Sequence, residues 1–147
     1  TNKGNRTVID DKWYDAVKNQ ALRVLEEAQE IVDGCDNKCL KEVLDGVVDT
    51  QVTSLPLIDM LEAVKFDVTG AMIEIAYNNL TKVVTDRKIA EQTIEQKFNY
   101  DTHYIDEVKY EGTTFYSVKR KSDDKYEKPV GYKSPDISMY VPEVNED

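Results

Sequence analysis

Two consecutive segments in the first 55 residues carry apolar side chains at the three-to-four spacing of amphipathic helices, and this pattern constrains the fold most strongly. The first segment has its apolar positions at Trp13, Val17, Ala21, Leu25, Ala28 and Val32. Asp10 or Asp11 is a good N-cap, and Gly34 follows the last apolar position. We therefore expect a first helix that begins at one of these aspartates and is ended by the glycine.

The second segment predicts another helix, which should begin after Asp36 or Asn37. Its apolar positions are Leu40, Val43, Leu44, Val47, Val48, Val52 and Leu55. Pro56 follows, and proline inside a helix removes a backbone donor and clashes with the preceding turn. Proline therefore either kinks this helix or splits it from the next stretch, LIDMLEAVKF.

Two further helices are predicted before residue 100. Asp67 is placed to cap VTGAMIEIAYNNL, and Thr85 or Asp86 is placed to cap RKIAEQTIEQKF. The first hundred residues therefore predict a body of four to five helices.

The periodicity changes after about residue 100. The stretch VKYEGTTFYSVKR alternates apolar and polar side chains around Glu111-Gly112, which predicts a β-hairpin. The last stretch, YEKPVGYKSPDISMYVPEVNED, contains three of the four prolines and predicts an extended arm. This arm is too short for a core of its own, so it lies on the helical body, lies on a partner subunit, or is mobile.

Length and composition predict one mainly α domain over residues 1–147, with the helical body at about 10–100 and the hairpin and arm at about 101–147. The net charge is −10. A surface that binds nucleic acid directly needs a basic patch, so we expect none here. No apolar run reaches the length of a membrane span, and the N-terminal stretch lacks the apolar region of a signal peptide, so we expect a cytoplasmic protein with no membrane partner.

The cysteines and the histidine do not form a recognisable metal motif. Cys35 and Cys39 have no second Cys/His cluster, so we expect free thiols, either buried or on the surface. His103 is the only histidine and cannot form a His-based metal site by itself. We expect it to lie in a solvated loop.

Acidic side chains recur at helical spacing within both of the first two segments. They are Glu26, Glu27 and Glu30 in the first segment, and Glu42, Asp45 and Asp49 in the second. Spacings of three and four residues place each set on one helix face. Two unit charges about 6 Å apart repel by roughly 3 kcal/mol at an effective dielectric constant near 20. The carboxylates therefore either point apart into water or have a cation between them.

Magnesium suits such a group because it takes oxygen ligands and keeps waters and substrate phosphates in its shell. Antiparallel packing of the two helices across the short GCDNK connection would bring the two acidic sets opposite each other. The alternative, that these acids form the exposed faces of a helical hairpin, remains open from the spacing alone.

Four segments in order resemble a known enzyme family. They are EExxE at residues 26–30, the ExxD-type acidic segment, NNLTKVV at residues 78–84, and KPVGYKSPD at residues 128–136. In this order they resemble the MazG-like, all-α nucleoside triphosphate pyrophosphohydrolases, in particular their phosphoribosyl-ATP pyrophosphohydrolase-like branch, which is common among phage proteins. The likeness covers about residues 13–136 and implies an all-α pyrophosphohydrolase bundle of four to five helices, here with a small C-terminal β-hairpin and arm.

The resemblance also implies a set of metal ligands. Glu26, Glu27 and Glu30 match the carboxylates of EExxE. The second acidic element fits in two registers, of which we favour the one that uses Asp49 with Asp45 over the one that uses Glu42. In the favoured register Gly46 stands where the family has glutamate, and Asp45 is the neighbouring acid. The residues with implied catalytic roles are Glu27, Glu30 and Asp49.

The two later segments imply substrate contacts. Asn79 and Lys82 match the Asn and Lys of the family's Asn-x-Ser-Lys segment, with Thr81 in place of serine. Lys128 and Tyr132 match the closing segment. An amide and an ammonium group suit the binding of a triphosphate.

The activity implied by the resemblance is Mg²⁺-dependent hydrolysis of a (deoxy)nucleoside triphosphate to the monophosphate and pyrophosphate, with Mn²⁺ as the alternative ion. It also implies a homo-oligomer, dimer or tetramer, and a phage-type protein that acts in a host cytoplasm. The first alternative is a non-enzymatic acidic helical protein that binds a basic partner, as a DNA mimic does. The second is a phosphoribosyl-ATP enzyme of histidine synthesis.

Overall fold

The computed structural model describes residues 8–143, which form a helix-rich fold with a small antiparallel sheet. The helices are α1 (Asp11–Asp36), α2 (Leu40–Ala63), α3 (Val68–Leu80) and α4 (Arg87–Lys97), and the strands are β1 (Val83–Val84), β2 (His103–Tyr110) and β3 (Thr113–Arg120), with a 3₁₀ turn at Ser138–Tyr140. The mainly α class is confirmed. The first seven residues of the N-terminal stretch and the last four of the predicted arm lie outside the described residues.

The chain divides into two compact units. The first unit contains the residues up to Thr69 together with those from Ser138 onward, and the second runs from Gly70 to Ile137. None of the helices within residues 8–143 is long and apolar enough to cross a membrane. The single domain over the whole chain stays a prediction.

The first unit is built around an antiparallel hairpin of α1 and α2. Asp10 caps α1 by accepting a hydrogen bond of 2.8 Å from the backbone N–H of Trp13. The indole N–H of Trp13 donates to the carbonyl of Met60 near the end of α2, at 3.3 Å. Further along, the buried Gln20 donates its amide to the carbonyl of Thr53 at 2.7 Å. Contacts between an early part of α1 and a late part of α2 establish the antiparallel direction.

The connection between α1 and α2 differs from the sequence-based expectation. Gly34 does not end α1, which continues through Asp36. Asn37 is the C-cap, and the residue after it, Lys38, has a φ of 55°. Its N–H donates to the carbonyl of Cys35 at 3.1 Å, and the N–H of Cys39 donates to the carbonyl of Gly34 at 2.9 Å. This is the Schellman pattern of helix termination with lysine at the left-handed position that glycine usually occupies, so the glycine signal was misleading.

Helix α2 begins at Leu40, later than predicted. Pro56 lies inside α2, which runs without interruption to Ala63. The alternative in which the proline splits the segment is therefore wrong.

The hairpin in the second unit is confirmed. Strands β2 and β3 pair in register around Glu111 and Gly112, which both have positive φ values, 46° and 78°. The short strand β1 was not predicted, and it completes the sheet order β1-β3-β2 by pairing with Tyr116 and Ser117. Two residues contain too little alternation to be recognised as a strand without the partner strand.

Helix α4 packs on this sheet, with Ala90, Ile94 and Val118 in the core between them. Its N-cap is Asp86, which accepts a hydrogen bond of 2.9 Å from the backbone N–H of Lys88.

The chain after β3 lies on α4. The backbone N–H of Val130 donates to the hydroxyl of the buried Thr93 at 2.9 Å. The ammonium of Lys97 donates to the carbonyls of Lys128 and Pro129, at 3.1 and 3.3 Å. Of the three arrangements expected for the arm, packing on the helical body is therefore the one adopted by residues 128–130.

The expectation of a solvated loop histidine is wrong. His103 begins β2 and is 6% exposed. Its ring stacks on Phe98 with 4.0 Å between centroids, and Nδ1 lies 2.8 Å from the hydroxyl oxygen of Thr102. Pairing of β2 with β3 places this side chain against the end of α4, which no local pattern indicates.

Candidate functional site

The candidate site begins with the close approach of α1 and α2. A Cβ atom added at Gly46 would lie 2.9 Å from Cγ1 of Ile31, 3.0 Å from its backbone nitrogen and 3.3 Å from the carbonyl oxygen of Glu27. A Cβ added at Gly34 would lie 2.9 Å from the backbone nitrogen of Val43. These glycines therefore let the two backbones approach closely. Gly46 stands where the resemblance expects glutamate, and any side chain at this position would force Ile31 to shift.

The same packing defines an acidic flank on α2, formed by Glu42, Asp45 and Asp49. Each of these acids is followed in the sequence by a residue of the helix face that is turned towards α1. Successive residues are rotated by about 100° around the helix axis, so the three acids lie beside that face. Because Gly46 packs against the backbone of Glu27 and Ile31, the acids of α1 lie beside this flank. The antiparallel register thus brings the two acidic sets together.

Glu27 lies at the centre of the group. Partial burial, followed by the negative charges of Glu30, Asp49, Glu26 and Asp45, raises the pKa of the Glu27 carboxyl above its ordinary value of 4.5. Its neighbours are the same four acids that the sequence assigned with it to a metal site. The leading causes of this shift are burial and other acids, so the carboxylates of the group repel one another.

The remaining acid of the flank belongs to an adjacent cleft. A cavity of about 250 Å³ is lined by four acids, Glu30, Asp33, Glu42 and Asp45. Glu30 and Asp45 therefore belong to both groups, whereas Glu42 lies only on the cleft. Sequence reasoning missed Asp33, although its position three residues after Glu30 places it one helical turn further along the same face.

The oxygen donors of this group match the ligand preference of magnesium, so the residue types fit the ion. Glu27 and Asp49 are half-buried, whereas Glu26, Glu30 and Asp45 are exposed. Within residues 8–143, no three His, Cys, Asp or Glu side chains are placed to hold a metal ion together. Exposed carboxylates change rotamer readily, so the positions of the helices rather than of the carboxyl groups define the site.

No protein-family model, curated protein or solved structure matches this chain. The functional assignment therefore stays a proposal that combines the resemblance of the four sequence segments with the placement of the acidic residues.

The residues predicted to contact substrate, Asn79, Lys82, Lys128 and Tyr132, lie in the second unit. Asn79 is exposed, whereas its neighbour Asn78 makes the specific contacts. The Asn78 amide donates to the carbonyl of Lys133 at 2.8 Å, and its oxygen accepts a short hydrogen bond from the hydroxyl of Tyr132. Asn78 therefore connects the end of α3 with the C-terminal segment. The sequence has two adjacent asparagines here, and this doubling is the signal that could have pointed to Asn78 as well as Asn79.

The two predicted lysines lie on one cavity. Lys82 and Lys128 both line a space of about 280 Å³, together with Lys97 and Lys125, which sequence reasoning did not select. The ammonium of Lys128 lies 5.3 Å from the ring centroid of Tyr132. The structure thus gathers Lys82 and Lys128 and places Tyr132 beside them, whereas Asn79 is not among the residues that line this cavity.

Proposed function

We propose that the protein is a Mg²⁺-dependent nucleoside triphosphate pyrophosphohydrolase. The observation that supports this best is the antiparallel register of α1 and α2, which surrounds Glu27 with Glu30, Asp49, Glu26 and Asp45. A purely structural hairpin would be more stable with these charges dispersed or paired with lysines. Binding of a divalent cation would remove the repulsion, and Mn²⁺ is the alternative ion.

The carboxylates have separate roles in the proposed reaction. Glu26, Glu30, Asp45 and Asp49 would hold Mg²⁺, which supplies charge neutralisation at the phosphates and orientation of the leaving pyrophosphate. Glu27 lies half-buried among the acids that would hold the ion, where a carboxylate oxygen that does not bind the metal can act as a general base. Glu27 would take the proton from the attacking water as the bond between the α-phosphorus and the bridging oxygen breaks.

The phosphate contacts are proposed from the resemblance, which assigns them to Asn79, Lys82, Lys128 and Tyr132. Lys82 and Lys128 can each donate to phosphate oxygens as point charges. Tyr132 would hold the Lys128 ammonium in place through its ring, since its hydroxyl is already bonded to Asn78. Asn79 is exposed and available as an amide donor. The action on a nucleotide pool in a host cytoplasm remains a prediction from the resemblance.

The experiment is a measurement of pyrophosphate release from canonical and modified NTPs and dNTPs, with Mg²⁺, with Mn²⁺ and with EDTA. Glu30→Gln and Asp49→Asn should each lose about 100-fold or more in kcat/KM, because metal affinity and activity depend steeply on the ligands and their surroundings. Asp59→Asn removes an exposed acid of α2 outside the group and should keep full activity. Circular dichroism would verify that all three variants are folded.

Two results would contradict the proposal. The first is an absence of pyrophosphate release from every nucleotide by folded wild-type protein, which would favour the acidic module that binds a basic partner. The second is retention of activity in both Glu30→Gln and Asp49→Asn, which would place the reaction elsewhere in the chain.

A further inference from the structure

Four lysines surround a single cavity in a strongly acidic protein. The chain contains 19 basic and 29 acidic side chains and has a net charge of −10. Lys82, Lys97, Lys125 and Lys128 nevertheless line the same cavity of about 280 Å³ in the second unit. A concentration of like charges at one point is unfavourable unless something compensates for it.

No carboxylate within the described residues forms an ion pair with these lysines. The ion pairs of residues 8–143 are formed instead by Arg87, His103, Lys119 and Arg120. The Lys97 ammonium is held by two neutral carbonyl groups, and the Lys128 ammonium lies near the ring of Tyr132. These partners are neutral, so neither ammonium is paired with a carboxylate within residues 8–143.

The one carboxylate on the cavity wall interacts with a different residue. Glu127 Oε1 lies 3.5 Å from Nε2 of His103, and both side chains are largely buried, with 17% and 8% of their surface exposed. Nε2 of His103 has no hydrogen-bond partner in the structure. The ring of His103 also stacks on Phe98, a second residue of the wall. The single carboxylate of the cavity wall is therefore directed to His103, so the wall carries four lysines and no acid paired with them within residues 8–143.

We propose that this four-lysine pocket binds a compact polyphosphate, either pyrophosphate or the phosphate chain of a nucleoside triphosphate, and that it does so without a metal ion. Ammonium groups bind phosphate oxygens as point charges. The volume is slightly below the roughly 300–1,000 Å³ of pockets that enclose whole drug-sized ligands, so the phosphates fit inside and a nucleoside extends outwards. The choice of phosphate over other anions rests on the proposed function. This pocket adds Lys97 and Lys125 to the two lysines already proposed to contact phosphate.

The test is isothermal titration of the full chain with sodium pyrophosphate in EDTA at physiological salt. The double variant Lys82→Gln/Lys125→Gln should weaken binding by about tenfold or more, as expected for the loss of two charge-assisted contacts. The matched control Lys88→Gln/Lys109→Gln removes two exposed lysines that do not line the cavity, and its affinity should change by less than about twofold. Thermal unfolding of both double variants establishes that they are folded.

Titrations with other anions test whether the pocket is specific for phosphate groups. Tripolyphosphate and nucleoside triphosphates should bind with similar affinity, because the pocket contacts the phosphates only. Citrate that binds as tightly as pyrophosphate would overturn the phosphate class. Absence of saturable binding, or equal weakening by the control variant, would overturn the site itself.

The failure of this inference can be told apart from the failure of the proposed function. Glu30→Gln/Asp49→Asn should lose hydrolysis and keep pyrophosphate binding in EDTA. Wild-type protein that binds pyrophosphate through these lysines but hydrolyses no nucleotide would refute the proposed hydrolase activity. The proposal of a phosphate-binding pocket would stand. An active enzyme whose pyrophosphate affinity in EDTA is unchanged in Lys82→Gln/Lys125→Gln would refute the pocket alone.

Discussion

At the scale of single residues, Glu27 links the stability of the hairpin to the chemistry proposed for it. Its carboxylate lies on the half-buried side of α1, close to four other acids. The charged form is therefore less stable in the folded protein than in the unfolded chain. Proteins accept side chains that lower the stability of the fold at functional sites. Glu27 is therefore the most informative position to change.

The raised pKa of Glu27 predicts a pH-dependent stability difference. A carboxyl whose pKa is raised on folding stabilises the folded state below its ordinary value of 4.5, and this contribution is lost as the pH rises through the raised pKa. Glu27→Gln should therefore have a higher Tm than the wild type at neutral pH in EDTA. The difference should vanish below about pH 4, where the carboxyl is protonated in both states.

Scanning calorimetry between acidic and neutral pH measures this difference. Glu62→Gln, which removes an exposed glutamate near the end of α2, serves as the control and should show a smaller change. Addition of Mg²⁺ should raise the Tm of the wild type more than that of Glu27→Gln, because the negative charge of Glu27 attracts the ion, and an ion that binds only the folded state stabilises it. An unchanged Tm in Glu27→Gln at neutral pH would contradict the repulsion inferred for this group.

At the scale of secondary-structure elements, the α1–α2 hairpin depends on close backbone contact. The face of α2 turned towards α1 contains small and hydroxylated residues, and the hydroxyls of Thr50, Thr53 and Ser54 are satisfied by carbonyls of their own helix. This leaves little apolar area between the helices. The glycines therefore contribute by allowing proximity rather than by flexibility.

Gly46→Ala tests this packing. Alanine within a helix normally stabilises a protein by roughly 0.5–1 kcal/mol relative to glycine. Here the added Cβ would lie 3.0 Å from the backbone nitrogen of Ile31, which cannot move aside as a side chain can, and overpacking costs roughly 1–3 kcal/mol. We therefore expect a net loss of about 1–2 kcal/mol in the free energy of unfolding, measured by urea denaturation.

Gln51→Ala provides the control, since Gln51 is exposed on the same helix and should change stability by less than about 0.5 kcal/mol. A stabilised Gly46→Ala would mean that helix propensity outweighs packing, and that the two helices can separate at little cost. The distance between the acidic sets would then be variable.

At the scale of the whole molecule, one flank of α2 exposes a continuous row of apolar side chains. They are Leu40, Leu44, Val48, Val52 and Leu55, with 86%, 65%, 49%, 56% and 58% of their surface exposed. Among the described residues, Val64 is the one apolar side chain of the first unit in the buried core. An apolar stripe of this length marks an interaction surface, and the predicted homo-oligomer would cover it.

This apolar stripe predicts that the protein is an oligomer in solution. Size-exclusion chromatography with light scattering should give a dimer or tetramer of the 16.9 kDa chain. Leu44→Gln/Val52→Gln should shift the mass towards the monomer, because interfaces of about 800 Å² per partner depend on their apolar centre. Tyr100→Gln/Met139→Gln changes two exposed side chains outside the stripe and should leave the mass unchanged. A wild-type monomer would contradict the homo-oligomer.

The sequence alone determined the features that depend on neighbouring residues. The extents of α3 and α4 and the hairpin turn at Glu111 were predictable, and each of two caps was narrowed to a pair of residues that includes the observed Asp10 or Asp86. Caps, apolar spacing and turn residues act within a few positions of one another, which makes them readable locally. The same is true of the acidic stripes, since spacings of three and four residues place side chains on one face of any helix.

Only the tertiary structure decided the features that depend on partners distant in the chain. His103 is buried, β1 is a strand, and Gly34 lies inside α1, because in each case a segment far along the chain or on the facing helix surrounds the residue. The four-lysine pocket is the clearest case, since Lys82 and Lys125 are separated by more than forty positions and meet on one cavity through the packing of the second unit. Burial and proximity are properties of the packed chain, and no local pattern of residue types specifies them.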